Sequence, residues 1–166
     1  MADFEDVLTA NRAYAQSRFV DSGLPGRAAK GLAVVTCMDS RIDPLAMLGL
    51  ERGDAKILRN AGARVTDDVL RTLVLAVALL GVERVLVVPH TDCGMTKATG
   101  DAVQEAVRGR TGVDARSIDF SMISDQRETL ERDVQRIRSW PFLPAGMPVA
   151  GAVYDVRTGA LQLVVP

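Results

Sequence analysis

Histidine occurs once in this 166-residue chain and cysteine twice, and both scarcities constrain it. Two cysteines exclude the disulfide-dense frameworks that small secreted domains use in place of a core, so reduced thiols are expected. Cationic excess is also missing. With 20 basic and 21 acidic residues the formal net charge is -1, and the Lys and Arg residues gather into no stripe, which argues against nucleic acid as a partner. The longest apolar run, LVLAVALLGV at residues 73–82, lies between Arg71 and Glu83. It falls far short of the roughly 20 residues that a bilayer span requires, so no membrane partner is expected. The opening MADFEDVLTANR is acidic and lacks the basic-then-apolar order of a secretory signal, which leads to the expectation of a cytoplasmic protein. No internal repeat, low-complexity tract or interdomain linker interrupts the sequence, and its length suits one domain over residues 1–166.

What is present is an alternation. Apolar runs at 32–36, 55–59 and 84–89 read as buried strands, separated by helix-like segments at about 43–50 and 66–81. Strands alternating with helices imply βαβ units and a parallel sheet. Thr66 can cap the second of these helices, and Asp67 and Asp68 suit the positive end of its dipole. Its body, from Val69 to Leu80, is apolar on more than one face, which predicts burial inside the domain or against another subunit. Further helices are read at 101–111 and 121–139, the last stopped by the prolines of WPFLPAGMP. In the tail, two extended runs around RTGA signal a hairpin. Phe4, Val7, Leu8, Ala13 and Phe19 fall at helical spacing, giving an amphipathic helix over 3–19 within an N-terminal arm of residues 1–22. The expected class is α/β: a central, mainly parallel sheet flanked by helices, with a C-terminal hairpin or edge strand and an extended N-terminal helix.

Every cysteine and histidine falls in one of two short motifs. CMDSR (37–41) follows GLAVVT, and HTDCGM (90–95) follows RVLVVP, so each motif sits at the carboxyl end of an expected parallel strand. Open α/β sheets place their sites there, beside the switch in strand order. Side chains two apart on an extended chain point the same way, which lets Cys37 and Asp39 face a common site with Arg41 following. His90 and Cys93, three apart, converge if Gly94 lies near a helix start. Two thiolates and one imidazole suit tetrahedral zinc and leave a fourth position, open to Asp39 or to water. Asp39 there would close the site, whereas water would make it catalytic. Alone, a cysteine at a strand end is ordinarily a small buried hydrophobe and an HxxC pair is a weak signal. The joint placement is what points to metal.

In their order and spacing, Cys-x-Asp-x-Arg (CMDSR), RNAG at 59–62 and His-x-x-Cys-Gly (HTDCG) resemble the signature of the β-class carbonic anhydrases. The resemblance spans roughly residues 31–97, with a weaker echo in VAGAVYDVRTGAL near the end. It implies one zinc ion per chain held by Cys37, His90 and Cys93, and an Asp39–Arg41 dyad in which Asp39 becomes a fourth ligand in a closed state. The implied activity is reversible hydration of carbon dioxide to bicarbonate and a proton by a zinc-bound hydroxide, since zinc lowers the pKa of bound water to about 7. Asn60, Ala61 and Gly62 match the family's pocket edge, although a strand-ending turn accounts for them nearly as well; Gly94 is a further pocket candidate. A homodimer or larger homo-oligomer is implied too, with the N-terminal helix lying on the partner.

Two features depart from the family pattern. Residues 23–36 lack the glutamine that plant-type relatives place before the first motif. With no second histidine there is no internal imidazole shuttle, so Asp92, another carboxylate or buffer must take the proton. Two other functions fit the same residues: a zinc hydrolase of carbon disulfide or carbonyl sulfide on this scaffold, and a non-catalytic zinc or thiol module that Asp39 keeps closed.

Overall fold

The computed structural model describes residues 3–166; Met1 and Ala2 of the expected arm lie outside the described residues. Its sheet contains β1 (Leu32–Cys37), β2 (Ala55–Asn60), β3 (Arg84–Val88), β4 (Val149–Tyr154) and β5 (Leu161–Val165), in the order β2-β1-β3-β4-β5. β1 pairs in parallel with β2 and β3, β3 pairs in parallel with β4, and β5 returns antiparallel along β4 as the edge of the hairpin. The class is α/β, as the alternation of strands and helices predicts. After β1 the chain moves outward to β2 and then crosses to β3 on the other side of β1. The direction of strand addition therefore reverses between β1 and β3, and a crevice opens at their carboxyl ends.

Among the described residues four α-helices accompany the sheet: α1 (Glu5–Ser17), α2 (Asp67–Leu80), α3 (Gly100–Thr111) and α4 (Gln126–Arg138). α2 starts where its cap predicts, with the Thr66 side chain accepting the Val69 N–H, and stops at Gly81, whose φ of 72° is the left-handed geometry that favours glycine. Leu70 and Leu73 of α2 and Leu130, Val134 and Ile137 of α4 pack onto one sheet face against Val35, Val85 and Val87. Each such side chain, fully buried, contributes roughly 1.5–3 kcal/mol of transfer free energy. α4 comes so close to β4 that a Cβ on Gly151 would sit 2.8 Å from Leu130 Cγ. Among the described residues no helix is long and apolar enough to cross a membrane.

Two segments differ from the reading by periodicity. Residues 43–50 form only a short 3₁₀ turn, Ala46–Leu48: the Asp43 side chain caps its start by accepting the Leu45 and Ala46 N–H groups, but Gly49 at φ 61° ends it almost at once. The last helix begins at Gln126 rather than near 121, since the Asp125 side chain caps Glu128 N–H and Ser121 sits at φ 51°, outside helical geometry. α1 forms as its spacing predicts but buries none of its residues.

Candidate metal centre

Cys37 is the last residue of β1, paired in register with Asn60, and is 3% exposed because β1 lies between two other strands. Beyond it Met38 N–H still donates to Asn60 O at 2.9 Å, and a turn then closes with Ile42 N–H on Asp39 O at 3.1 Å. Asp39 is thus the first residue of the turn that follows the strand end. His90 lies just past β3, entirely buried, and bridges to Tyr154. Three residues on, Cys93 returns to the same point because Asp92 adopts φ 60°, reversing the chain before the helical turn Gly94–Thr96.

His90 Nδ1 lies 2.8 Å from the Thr91 carbonyl oxygen. A carbonyl only accepts, so Nδ1 carries the proton and Nε2 keeps its lone pair. That Nε2 is buried without a hydrogen-bond partner. The two sulfurs are 4.0 Å apart, and one ligand atom from each of Cys37, His90 and Cys93 lies within 4.8 Å of the others. Burial, and then the neighbouring Cys37, push the Cys93 thiol above its ordinary pKa. A buried imidazole lone pair left unsatisfied costs about 1–3 kcal/mol. A divalent cation of intermediate softness removes that cost and lets both thiols ionise, so the donor set fits zinc.

Beside the cluster, Arg41 grips Asp39 with two parallel bonds, Nε to Oδ1 at 2.9 Å and Nη2 to Oδ2 at 2.8 Å, and its own N–H adds a third at 2.9 Å. These bonds hold the Asp39 carboxyl well below the usual carboxylate range. Asp39 Oδ2 stands 3.6 Å from His90 Nε2, bordering the cluster without a hydrogen bond to it. Arg41 is raised above its ordinary value by Asp39 and then by Asp92, while Lys97 and then Arg41 hold Asp92 at about 2.

The pocket candidates divide. Asn60 accepts from Arg64 N–H at 2.8 Å and donates to Arg64 O at 2.7 Å, so both ends of its amide close the turn that contains Ala61. Gly62 faces the site: its N–H lies 3.4 Å from Cys37 Sγ, and at φ 80° a Cβ would meet Ile123 Cδ1 at 3.0 Å. Gly94 is exposed with open space around it, and nothing there demands glycine. Ile42, Met47, Ala63, Met95 and Tyr154 pack an apolar wall around the two cysteines.

Two contacts were not foreseen from the motifs. Arg59 donates to the carbonyls of Cys37 at 2.9 Å and Asp39 at 2.6 Å, fixing the backbone of CMD. Its place as the first letter of RNAG was the available signal. Gln126 donates to His90 O at 2.8 Å, and no local pattern in α4 announces it.

Comparison with known proteins gives consistent matches. The sequence model of the carbonic anhydrase family matches residues 32–161. Beta-carbonic anhydrase 1 of Mycobacterium tuberculosis is 38% identical over 162 residues, covering 98% of this chain and 98% of the relative. The carbon disulfide hydrolase of Acidithiobacillus thiooxidans is 31% identical over 160 residues, 84% of this chain and 79% of the relative. Among solved structures, the carbonic anhydrase from Streptococcus mutans superposes with a TM-score of 0.90 at 40% identity, covering 99% of this chain and 98% of that one.

Proposed function

The chain belongs to the β class of the carbonic anhydrase family, and on that premise we propose that it hydrates carbon dioxide reversibly to bicarbonate and a proton, using one zinc ion held by Cys37, His90 and Cys93. The observation that carries the zinc assignment is the unpaired lone pair of His90 Nε2, buried among two thiols. Zinc bound there supplies a Lewis acid that ionises water near neutral pH. The remaining work falls to side chains. Asp39, ionised and therefore an acceptor only, takes a hydrogen bond at Oδ2 from the attacking water and so turns a lone pair toward the substrate. Arg41 keeps Asp39 in that orienting place, beside the ligands and off the metal. Ile42, Met47 and Met95, packed around the cysteines, offer an apolar wall against which carbon dioxide would lie. Asp92 is poorly suited to receive the released proton, because Lys97 and Arg41 hold it at about 2; a buffer base is the better acceptor.

Freshly purified protein should contain about one zinc per chain, the stoichiometry of a single Cys₂His site. Well under half a zinc per chain, without exposure to chelator, counts against the assignment. Stopped-flow hydration of carbon dioxide between pH 7 and 9 should then show turnover, with carbon disulfide and carbonyl sulfide as comparison substrates. Faster hydrolysis of either would move the assignment to that substrate, and zinc without turnover of any would make the site a closed module.

A homodimer or larger assembly is also proposed. α1 and the residues flanking it leave Phe4, Val7, Leu8, Tyr14 and Phe19 exposed, and α2 leaves Leu75 and Leu79 exposed, an apolar surface that one small domain does not hide. Sedimentation at micromolar concentration should give at least twice the chain mass of 17.8 kDa. A stable folded monomer would rule the assembly out.

A further inference from the structure

Arg41 is held from two sides. Besides its bonds to Asp39, Nη1 donates to Asp92 Oδ2 at 2.9 Å and Nη2 to the Asp92 carbonyl at 3.2 Å. The two partners lie on different loops. Asp39 and Arg41 share the turn after β1, whereas Asp92 sits between His90 and Cys93 on the loop after β3. A pair formed within one turn does not fix where that turn stands relative to the opposite loop; the bonds to Asp92 do. Lys97 pairs with the other oxygen of the same carboxylate and so steers Oδ2 toward Arg41. Asp92 makes these contacts from φ 60°, a left-handed conformation that strains a residue bearing a Cβ. Strain of this kind persists where the surrounding contacts over-determine it.

An exposed ion pair is ordinarily worth little. Here, however, the guanidinium makes four side-chain hydrogen bonds that span both ligand-bearing loops. We propose that Asp92 is a positioning residue: acting through Arg41, it fixes the Asp39 carboxylate beside the ligand cluster, 3.6 Å from His90 Nε2, and keeps it from joining the metal. This rests on the zinc reading above. Without Asp92, Arg41 loses its anchor on the opposite loop and its hold on Asp39 loosens, so that the carboxylate would be free to act as a fourth ligand to bound zinc.

Asp92→Gly and Asp92→Asn test this, because both residues accept the left-handed backbone and the loop should keep its course. In Asp92→Gly, zinc affinity measured by chelator competition should rise about tenfold through the added ligand, while carbon dioxide hydration should fall by a similar factor, the scale of effects from groups behind metal ligands. Cobalt(II) loaded in place of zinc should show an altered visible spectrum. Asp92→Asn should lie between, since its amide oxygen still accepts from Nη1. In an Asp39→Ala background the affinity and spectral changes should both vanish, because the residue they act through is gone. Unchanged affinity and spectrum in Asp92→Gly, or changes that persist in the Asp39→Ala background, overturn the proposal. A wild-type chain that takes up neither zinc nor cobalt overturns the zinc reading and this proposal together, whereas normal wild-type loading with unaffected Asp92 variants overturns the proposal alone.

Discussion

His90→Ala protein purifies without zinc and hydrates carbon dioxide no faster than buffer alone. The expectation follows from the donor count. A catalytic zinc site needs three protein ligands, and the sequence holds one histidine and two cysteines, all already in the cluster. No spare imidazole or thiol exists to take a vacated place. Cys37→Ala and Cys93→Ala should behave alike. The fold should survive each change, because the removed atoms lie at strand ends beside the smaller apolar cluster, away from the α2–α4 core. Unaltered far-ultraviolet circular dichroism alongside lost metal would assign the effect to ligation. Zinc affinity of the wild-type chain should also rise with pH, because two buried thiols must lose protons to bind it and burial holds the Cys93 thiol above its ordinary pKa. Zinc retained by any of the three variants would mean that a ligand has been misnamed.

The parts of this site that are legible in sequence are those encoded locally. Buried parallel strands read as continuous apolar runs, so the ends of β1 and β3, and with them Cys37 and His90, stand out without a structure. Scarcity supplied the rest: in a chain with more cysteine and histidine, the same two motifs would have competed with chance matches. The 43–50 segment misleads because its apolar residues match helical spacing while a single residue, Gly49 in left-handed geometry, stops the turn. Asp92 illustrates a deeper limit. Sequence offers it as a proton acceptor near a ligand, but its left-handed backbone and its bond to Arg41, 51 residues away, exist only once β1 and β3 lie side by side. Gln126 is invisible for the same reason, since it supports a carbonyl on a different element, and Arg59 shows only as the first letter of RNAG, with nothing local to say which carbonyls it reaches.

Arg41→Ala protein should keep its zinc and lose most of its activity at neutral pH, which separates a working dyad from an incidental ion pair. The guanidinium is what holds Asp39 below the ordinary carboxylate range and away from the ligands. Without it, an anionic carboxylate already 3.6 Å from His90 Nε2 loses the partner that restrains it, and would be free to act as a fourth ligand when zinc is bound. The pH dependence has a definite sign. Asp39 has a depressed pKa in the folded protein, so its ion pair is fully formed above its unfolded value near 3.8 and is lost only as pH falls through the lower folded value. No proton is therefore lost from Asp39 between pH 7 and 9, and a rise in wild-type activity over that interval reports ionising water competing with the carboxylate. The same competition predicts partial recovery of Arg41→Ala toward pH 9. Arg41→Lys should fall between, because an ammonium cannot grip both carboxylate oxygens and reach Asp92 at once. Near-normal hydration by Arg41→Ala at neutral pH would instead leave Arg41 as an ordinary exposed charge, and Asp39 would need some other restraint to stay off the metal.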